Sequence, residues 1–174
     1  MRGCLHFSLF APRVFACVGA IGLLGCAPAL PASMGHPLLG AASPPFHETA
    51  IDERSVDVPG TLRTHVTVID FWASWCGSCQ QTMPALEALY QDRRAEGLVV
   101  VGVSVDDHEE DAARGAEAFG VSFPIVYDFG HRLQYAFDVS SVPITFVVDR
   151  SGTVRFVGRD PSSIRRAVIA LMDR

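Results

Sequence analysis

Two cysteines separated by two small residues, Cys76-Gly77-Ser78-Cys79, are the groups in this chain best suited to chemistry. They follow an apolar run ending in an acid and aromatics, Val68-Ile69-Asp70-Phe71-Trp72-Ala73-Ser74-Trp75. After them Met83, Leu86, Leu89 and Tyr90 recur at three- and four-residue steps, the spacing of one helix face. The pattern predicts a strand, a short turn and a helix whose first turn carries Cys76. A thiol there lies in the positive end of the helix dipole, near unpaired backbone N–H groups. Its pKa falls, and it becomes a nucleophilic thiolate near neutral pH. Cys79, three residues on, faces the same side and can close a disulfide with Cys76.

Asp70 stands where a strand this apolar would not carry an unpaired carboxylate, because burying the charge costs several kcal/mol. It could cap the following turn. Alternatively burial holds it protonated and raises its pKa, which suits a general base that accepts a proton near neutral pH.

Phe71-Trp72-Ala73-Ser74-Trp75-Cys76-Gly77-Ser78-Cys79, with Pro84 five residues later, resembles a thioredoxin-fold active site. The resemblance spans roughly residues 56–174. It implies that Cys76 attacks a substrate disulfide and that Cys79 resolves the mixed disulfide. It also implies that Asp70 takes and returns the Cys79 proton, and that Pro84 kinks the helix. Val142-Pro143-Ile144-Thr145-Phe146 matches the family's loop, in which the proline is cis and lies against the cysteine pair. There the residue before the proline, Val142 in this chain, bonds the substrate chain through its backbone. Trp75 would form an exposed rim of the substrate face and Trp72 a packing residue. Ser78 departs from the proline common in thioredoxins, so thioredoxin's redox potential does not carry over.

The elements that must position these groups can be read in order. Ile51 to Pro59 alternates loosely, with Val56 and Val58 on one face and Gly60 after it, and predicts a small N-terminal hairpin. Strands are expected at 66–71 and 98–105, both apolar enough to be buried on two faces. A helix is expected at 78–96, stopped by Gly97, and another at 109–119 capped by Asp106 or Asp107. A short strand at 123–127, a helix at 132–137, a hairpin of 144–149 with 153–157, and a helix at 162–172 complete the pattern. The expected class is α/β, a thioredoxin-like fold with a central mixed sheet flanked by helices, an inserted strand and helix, and an N-terminal hairpin. This layout resembles the TlpA/ResA branch and the wider AhpC/TSA redoxin group, which implies an exported, membrane-tethered thiol–disulfide oxidoreductase. Resemblance to the redoxin group also implies antioxidant activity and cell redox homeostasis.

The first residues speak to place. Arg2 and Arg13 precede an apolar segment from Val14 to Leu24, well short of the ~20 residues a membrane span requires. A basic start, a short apolar core and small residues read as a secretory signal over 1–25. Leu23-Leu24-Gly25-Cys26 resembles the bacterial lipobox, which implies acylation of Cys26. An ordinary signal cut near Ala29 or Ala32, with Cys26 lost, is the alternative. Ala27 is not the inner-membrane retention aspartate, so the resemblance favours the periplasmic face of the outer membrane. Residues 26–47, rich in Ala, Pro, Gly and Ser, read as an unstructured tether, and 48–174 as the thioredoxin-like domain.

Cysteine usage agrees with function over stapling. Cys4 and Cys17 leave with the signal and Cys26 carries lipid, so only Cys76 and Cys79 remain as thiols. The two arginines of the signal also leave, so twelve basic residues face nineteen acids, a net charge of −7. The chain has no lysine, and that balance argues against nucleic acid as a partner. A structural zinc site needs four ligands, and no second cysteine pair exists. Haem attachment needs histidine after the second cysteine, where Gln80 stands. A copper-chaperone site would want three residues between the cysteines, and a peroxide-related redoxin a proline–threonine motif before Cys76. No cofactor and no metal are therefore expected. The expected partners are protein disulfides or dithiols, a membrane thiol carrier that supplies electrons, and the membrane through the lipid anchor. Dithiol oxidation uses the same residues in reverse. A tethered binding module, with the pair as a mere clip, is the reading of a different class.

Overall fold

The computed structural model describes residues 29–58 and 65–174. The expected signal segment, Cys26 with the first residues of the tether, and Gly60 lie outside these. The chain opens with an antiparallel hairpin of β1 (Phe46–Thr49) and β2 (Ser55–Val58). Val56 and Val58 turn their side chains inward, as their alternation predicts. β3 (Val66–Trp72) and β4 (Leu98–Ser104) are the β-branched, apolar runs, and every residue of β3 is buried. Between them run α1 (Cys79–Arg93) and a 3-10 turn over Arg94–Glu96. Gly97, at φ 94°, closes that turn in the left-handed conformation glycine adopts without strain. Then follow α2 (Glu109–Phe119), β5 (Ile125–Tyr127) and α3 (Arg132–Ala136). The chain ends with β6 (Ile144–Val148), β7 (Val154–Gly158) and α4 (Pro161–Met172). Asp160 caps α4 by accepting the Ser163 N–H at 2.8 Å, with Pro161 at the first helical position.

The main sheet has the order β5-β4-β3-β6-β7. β3, β4 and β5 are parallel, β6 runs antiparallel to β3, and β7 antiparallel to β6. One end of the sheet therefore gathers the C-terminal ends of β3, β4, β5 and β7 and the start of β6. β3 opens there onto the cysteine turn, and the Val142-Pro143 loop enters β6 beside it. On one face Phe71 and Phe146 pack on Phe137, at ring-centroid separations of 5.2 and 5.3 Å, and Phe46 joins them from β1. On the other, Trp72 meets Phe119 of α2 edge-on at 5.6 Å. The alternation of β3 puts Asp70 on the Trp72 side.

The structure corrects three expectations. Residues 33–43, read as tether, lie along β7. Met34 N–H donates to the Val157 carbonyl at 2.8 Å, Gly40 N–H to the Val154 carbonyl at 2.8 Å and Ser43 N–H to the Gly152 carbonyl at 2.9 Å. Leu30 and Leu38 pack against the core, and Phe46 begins the hairpin inside the span assigned to the tether. The reason is that β7 is an edge strand, and its unpaired backbone groups take hydrogen bonds from any chain that reaches them. Second, α1 begins at Cys79, so Cys76 sits just before the helix and outside its first turn. Third, neither Asp106 nor Asp107 caps α2. His108 is the cap residue and gives no side-chain bond, because Asp106 is drawn to the active-site turn instead. No helix among the described residues is long and apolar enough to cross a membrane.

Candidate active site

Cys76 and Cys79 form a disulfide, with Cα atoms 5.3 Å apart. Cys79 is completely buried and Cys76 is 5 % exposed, so only Cys76 of the pair reaches the surface. The Cys79 N–H, at the start of α1, donates to Cys76 Sγ at 3.2 Å. That donor and the positive helix end favour negative charge on Cys76 once the bond is reduced. The Ser78 hydroxyl lies 3.6 Å from the same sulfur. It is a second polar neighbour that a proline at this position would lack.

The turn carrying Trp75 and Cys76 is tied down by a buried acid. Asp106 accepts from the Ser74 hydroxyl at 2.7 Å, from the Ser74 N–H at 3.1 Å and from the Ser104 hydroxyl at 2.7 Å. Gly115 of α2 lies close over this turn, and a Cβ there would stand 2.9 Å from both Ser74 Cβ and the Trp72 ring. The close approach is what glycine permits. Asp106→Ala is expected to lower unfolding free energy by roughly 1–3 kcal/mol through loss of these bonds. Urea unfolding measures the loss, and proteolysis should then cut near Ser74.

Asp70 sits in β3 directly across from Thr145 in β6. The Thr145 hydroxyl donates to Asp70 Oδ1 at 2.6 Å, while Oδ2 is buried without a hydrogen-bond partner. Complete burial pushes the Asp70 pKa up to about 7, against the opposing pull of the Thr145 bond. The carboxyl thus changes protonation in the neutral range. Asp70 ends no strand and caps no turn.

Trp75 is 68 % exposed, whereas Trp72 is fully buried. Trp75 and Val142 line one open groove of about 440 Å³, together with Asp107, His131, Gln134 and Tyr135. The Val142–Pro143 peptide is cis. Sequence reasoning gave Asp106 only as a helix-cap candidate and Thr145 only as part of the cis-proline loop, and it did not name the groove residues Gln134 and Tyr135 of α3. Their only signal is position relative to β3, which needs the sheet register. Among the described residues no cluster of three His, Cys, Asp or Glu side chains is placed to hold a metal ion.

A five-stranded mixed sheet with a CxxC disulfide at the end of its central strand defines a thioredoxin-like domain. The chain belongs to the AhpC/TSA family, whose model matches residues 39–157. It is 33% identical over 87 residues to the thiol-disulfide oxidoreductase ResA of Geobacillus kaustophilus, half of each protein. This chain therefore spans about half the length of that curated relative. Among solved structures it is similar to a candidate thiol:disulfide interchange protein DsbE from Chlorobium tepidum, with TM-score 0.70 and 25% identity. That match covers 77% of this chain and 97% of the other. A candidate protein disulfide isomerase from Bacteroides thetaiotaomicron shares the fold at TM-score 0.73 and 23% identity, over 82% of this chain and 96% of the other.

Proposed function

We propose that this chain is an exported thiol–disulfide oxidoreductase, tethered through Cys26 and reducing disulfides in partner proteins. The single observation that carries the reading is the asymmetry of the pair. Cys76, next to the groove residue Trp75, keeps a small exposure and receives a backbone N–H, while Cys79 is completely buried. The ResA and DsbE names of its relatives support the same chemistry.

The Cys76 thiolate attacks one sulfur of the partner disulfide, and the partner's other sulfur leaves as a thiolate. Cys79 gives its proton to the Asp70 carboxylate, and the new thiolate attacks Cys76 Sγ. The partner's second sulfur then leaves, so two electrons pass to the partner and the Cys76–Cys79 disulfide forms. A membrane thiol carrier returns the two electrons. Val142 offers backbone groups to the partner chain and Trp75 an apolar rim. An apocytochrome c with its own cysteine pair fits as a partner class. Residues 1–25 serve as the signal and the domain works at the periplasmic face of a membrane, the outer one favoured.

Reduction potential tests the direction. Equilibration of the mature protein against glutathione or dithiothreitol buffers measures it, and a value toward thioredoxin's roughly −270 mV supports the reductant. A value near DsbA's roughly −120 mV would make the protein a dithiol oxidase instead.

A further inference from the structure

Asp70 stands in a row of cross-strand neighbours, Ile125, Gly102, Asp70, Thr145 and Gly158, one from each strand of the main sheet. Residues opposite one another in such a row turn their side chains to the same face. Gly102 and Gly158 bring no side chain, and apolar groups fill their places. The Ile125 side chain lies 2.7 Å from where a Cβ on Gly102 would stand, and the Phe156 ring 2.5 Å from the same point on Gly158. Thr145 is therefore the neighbour in the row that brings a polar side chain to the carboxyl, and both residues are fully buried. Trp72 Nε1, two residues along β3 on the same face, has no hydrogen-bond partner, so it does not serve Asp70 Oδ2.

Among the described residues no charged group competes with the Thr145 bond. The helices bring only uncharged side chains to the core, with Cys79 the one among them that titrates near neutral pH once the pair is reduced. The other buried acids are held elsewhere. Asp106 accepts from Ser74 and Ser104, and Asp128 from the Leu133 and Gln134 N–H groups. Burial and the Thr145 bond alone bring Asp70 to titrate at about 7. The hydroxyl works against burial, because its bond favours the charged carboxylate.

We propose that Thr145 is a positioning residue for the proton transfer: it holds Oδ1, leaves Oδ2 to take the Cys79 proton, and so sets the pH range of partner release. The proposal deepens the function above and rests on the role given there to Asp70. The Cys79 S–H bond breaks and an O–H bond forms at Oδ2. The electron pair left on Cys79 attacks Cys76 Sγ, the bond from Cys76 to the partner breaks, and the partner sulfur leaves as a thiolate. The proton returns to Cys79 when the pair is next reduced. Oδ1 accepts the Thr145 O–H in both states of the carboxyl. Thr145 follows Pro143 by two residues, so the strand entered from the partner-binding loop itself carries the donor.

A peptide dimer joined by one disulfide separates the two steps. Full-length protein matured in a bacterial host, reduced and mixed with the dimer, frees one peptide when Cys76 attacks and the second when Cys79 resolves. Acid quenching and mass spectrometry follow both releases between about pH 5 and about pH 9. The second release is expected to rise through a midpoint near 7. Thr145→Val should move that midpoint upward by about one pH unit, and Thr145→Ser, which keeps the hydroxyl, should hold the wild-type value. Thr145→Ala repeats the test where valine disturbs the packing. Hydroxyl-free variants that keep the wild-type midpoint, while Asp70→Asn abolishes it, overturn the proposal alone. A serine variant that shifts as far as valine also overturns it, since the effect is then one of packing. A profile that Asp70→Asn leaves unchanged overturns the proton role of Asp70 with it. Release of neither peptide overturns the oxidoreductase reading itself.

Discussion

Cys76→Ser is expected to abolish disulfide reduction to background, and Cys79→Ser to trap partner proteins as mixed disulfides on non-reducing gels. The difference follows from geometry. Cys76 alone borders the surface, so a chain lacking it offers a partner no sulfur to react with. A chain lacking Cys79 completes the first attack and cannot finish the second. Loss of the pair should cost little stability, because a loop of four residues contributes roughly 2 kcal/mol by closure entropy. Thermal unfolding of Cys76→Ser would then show a modest shift while activity falls to background. Activity retained by Cys76→Ser would remove the enzyme reading and leave a binding module with the pair as a clip.

Asp70→Asn is expected to stabilise the oxidised protein at pH 8 and not at pH 4. The unfolded carboxyl loses its proton from near 3.8, while the folded one holds its proton until about 7. The unfolded state thus sheds the proton first, and the native state loses stability as pH rises across that window. With about three pKa units between the states, the loss is roughly 4 kcal/mol above pH 7. Asparagine removes this term and keeps an acceptor for Thr145, but its amide N–H₂ group at the partnerless Oδ2 position costs about 1–3 kcal/mol. The net gain at pH 8 is roughly 1–3 kcal/mol, turning to a loss of similar size at pH 4. Urea titrations of both proteins at the two pH values measure it, and parallel pH curves would refute the neutral-range carboxyl. The same change should slow release of the mixed disulfide and flatten the pH–rate profile near 7, because Cys79 loses its proton acceptor.

Much of the molecule is written locally. The strand–turn–helix around Cys76 and Cys79, the buried runs of β3 and β4, the stop at Gly97 and the β6–β7 hairpin all follow from apolar period and turn residues within single segments. Asp70 could be suspected for the same reason, since an acid inside an apolar strand is locally anomalous. What the tertiary structure decided is partnership. Thr145 reaches Asp70 across a separation of 75 residues, and Asp106 reaches Ser74 across 32. Neither pairing has a signature in its own segment, and that is why Asp106 reads as a helix cap until the sheet places it beside the active-site turn. The segment 33–43 misleads for a further reason. Its Ala, Pro, Gly and Ser lack any apolar period, yet it is held mainly by backbone N–H and C=O groups meeting the open edge of β7. Every residue type but proline carries both groups, so composition cannot reveal the docking. It is decided only when β7 folds into place and leaves one edge unpaired.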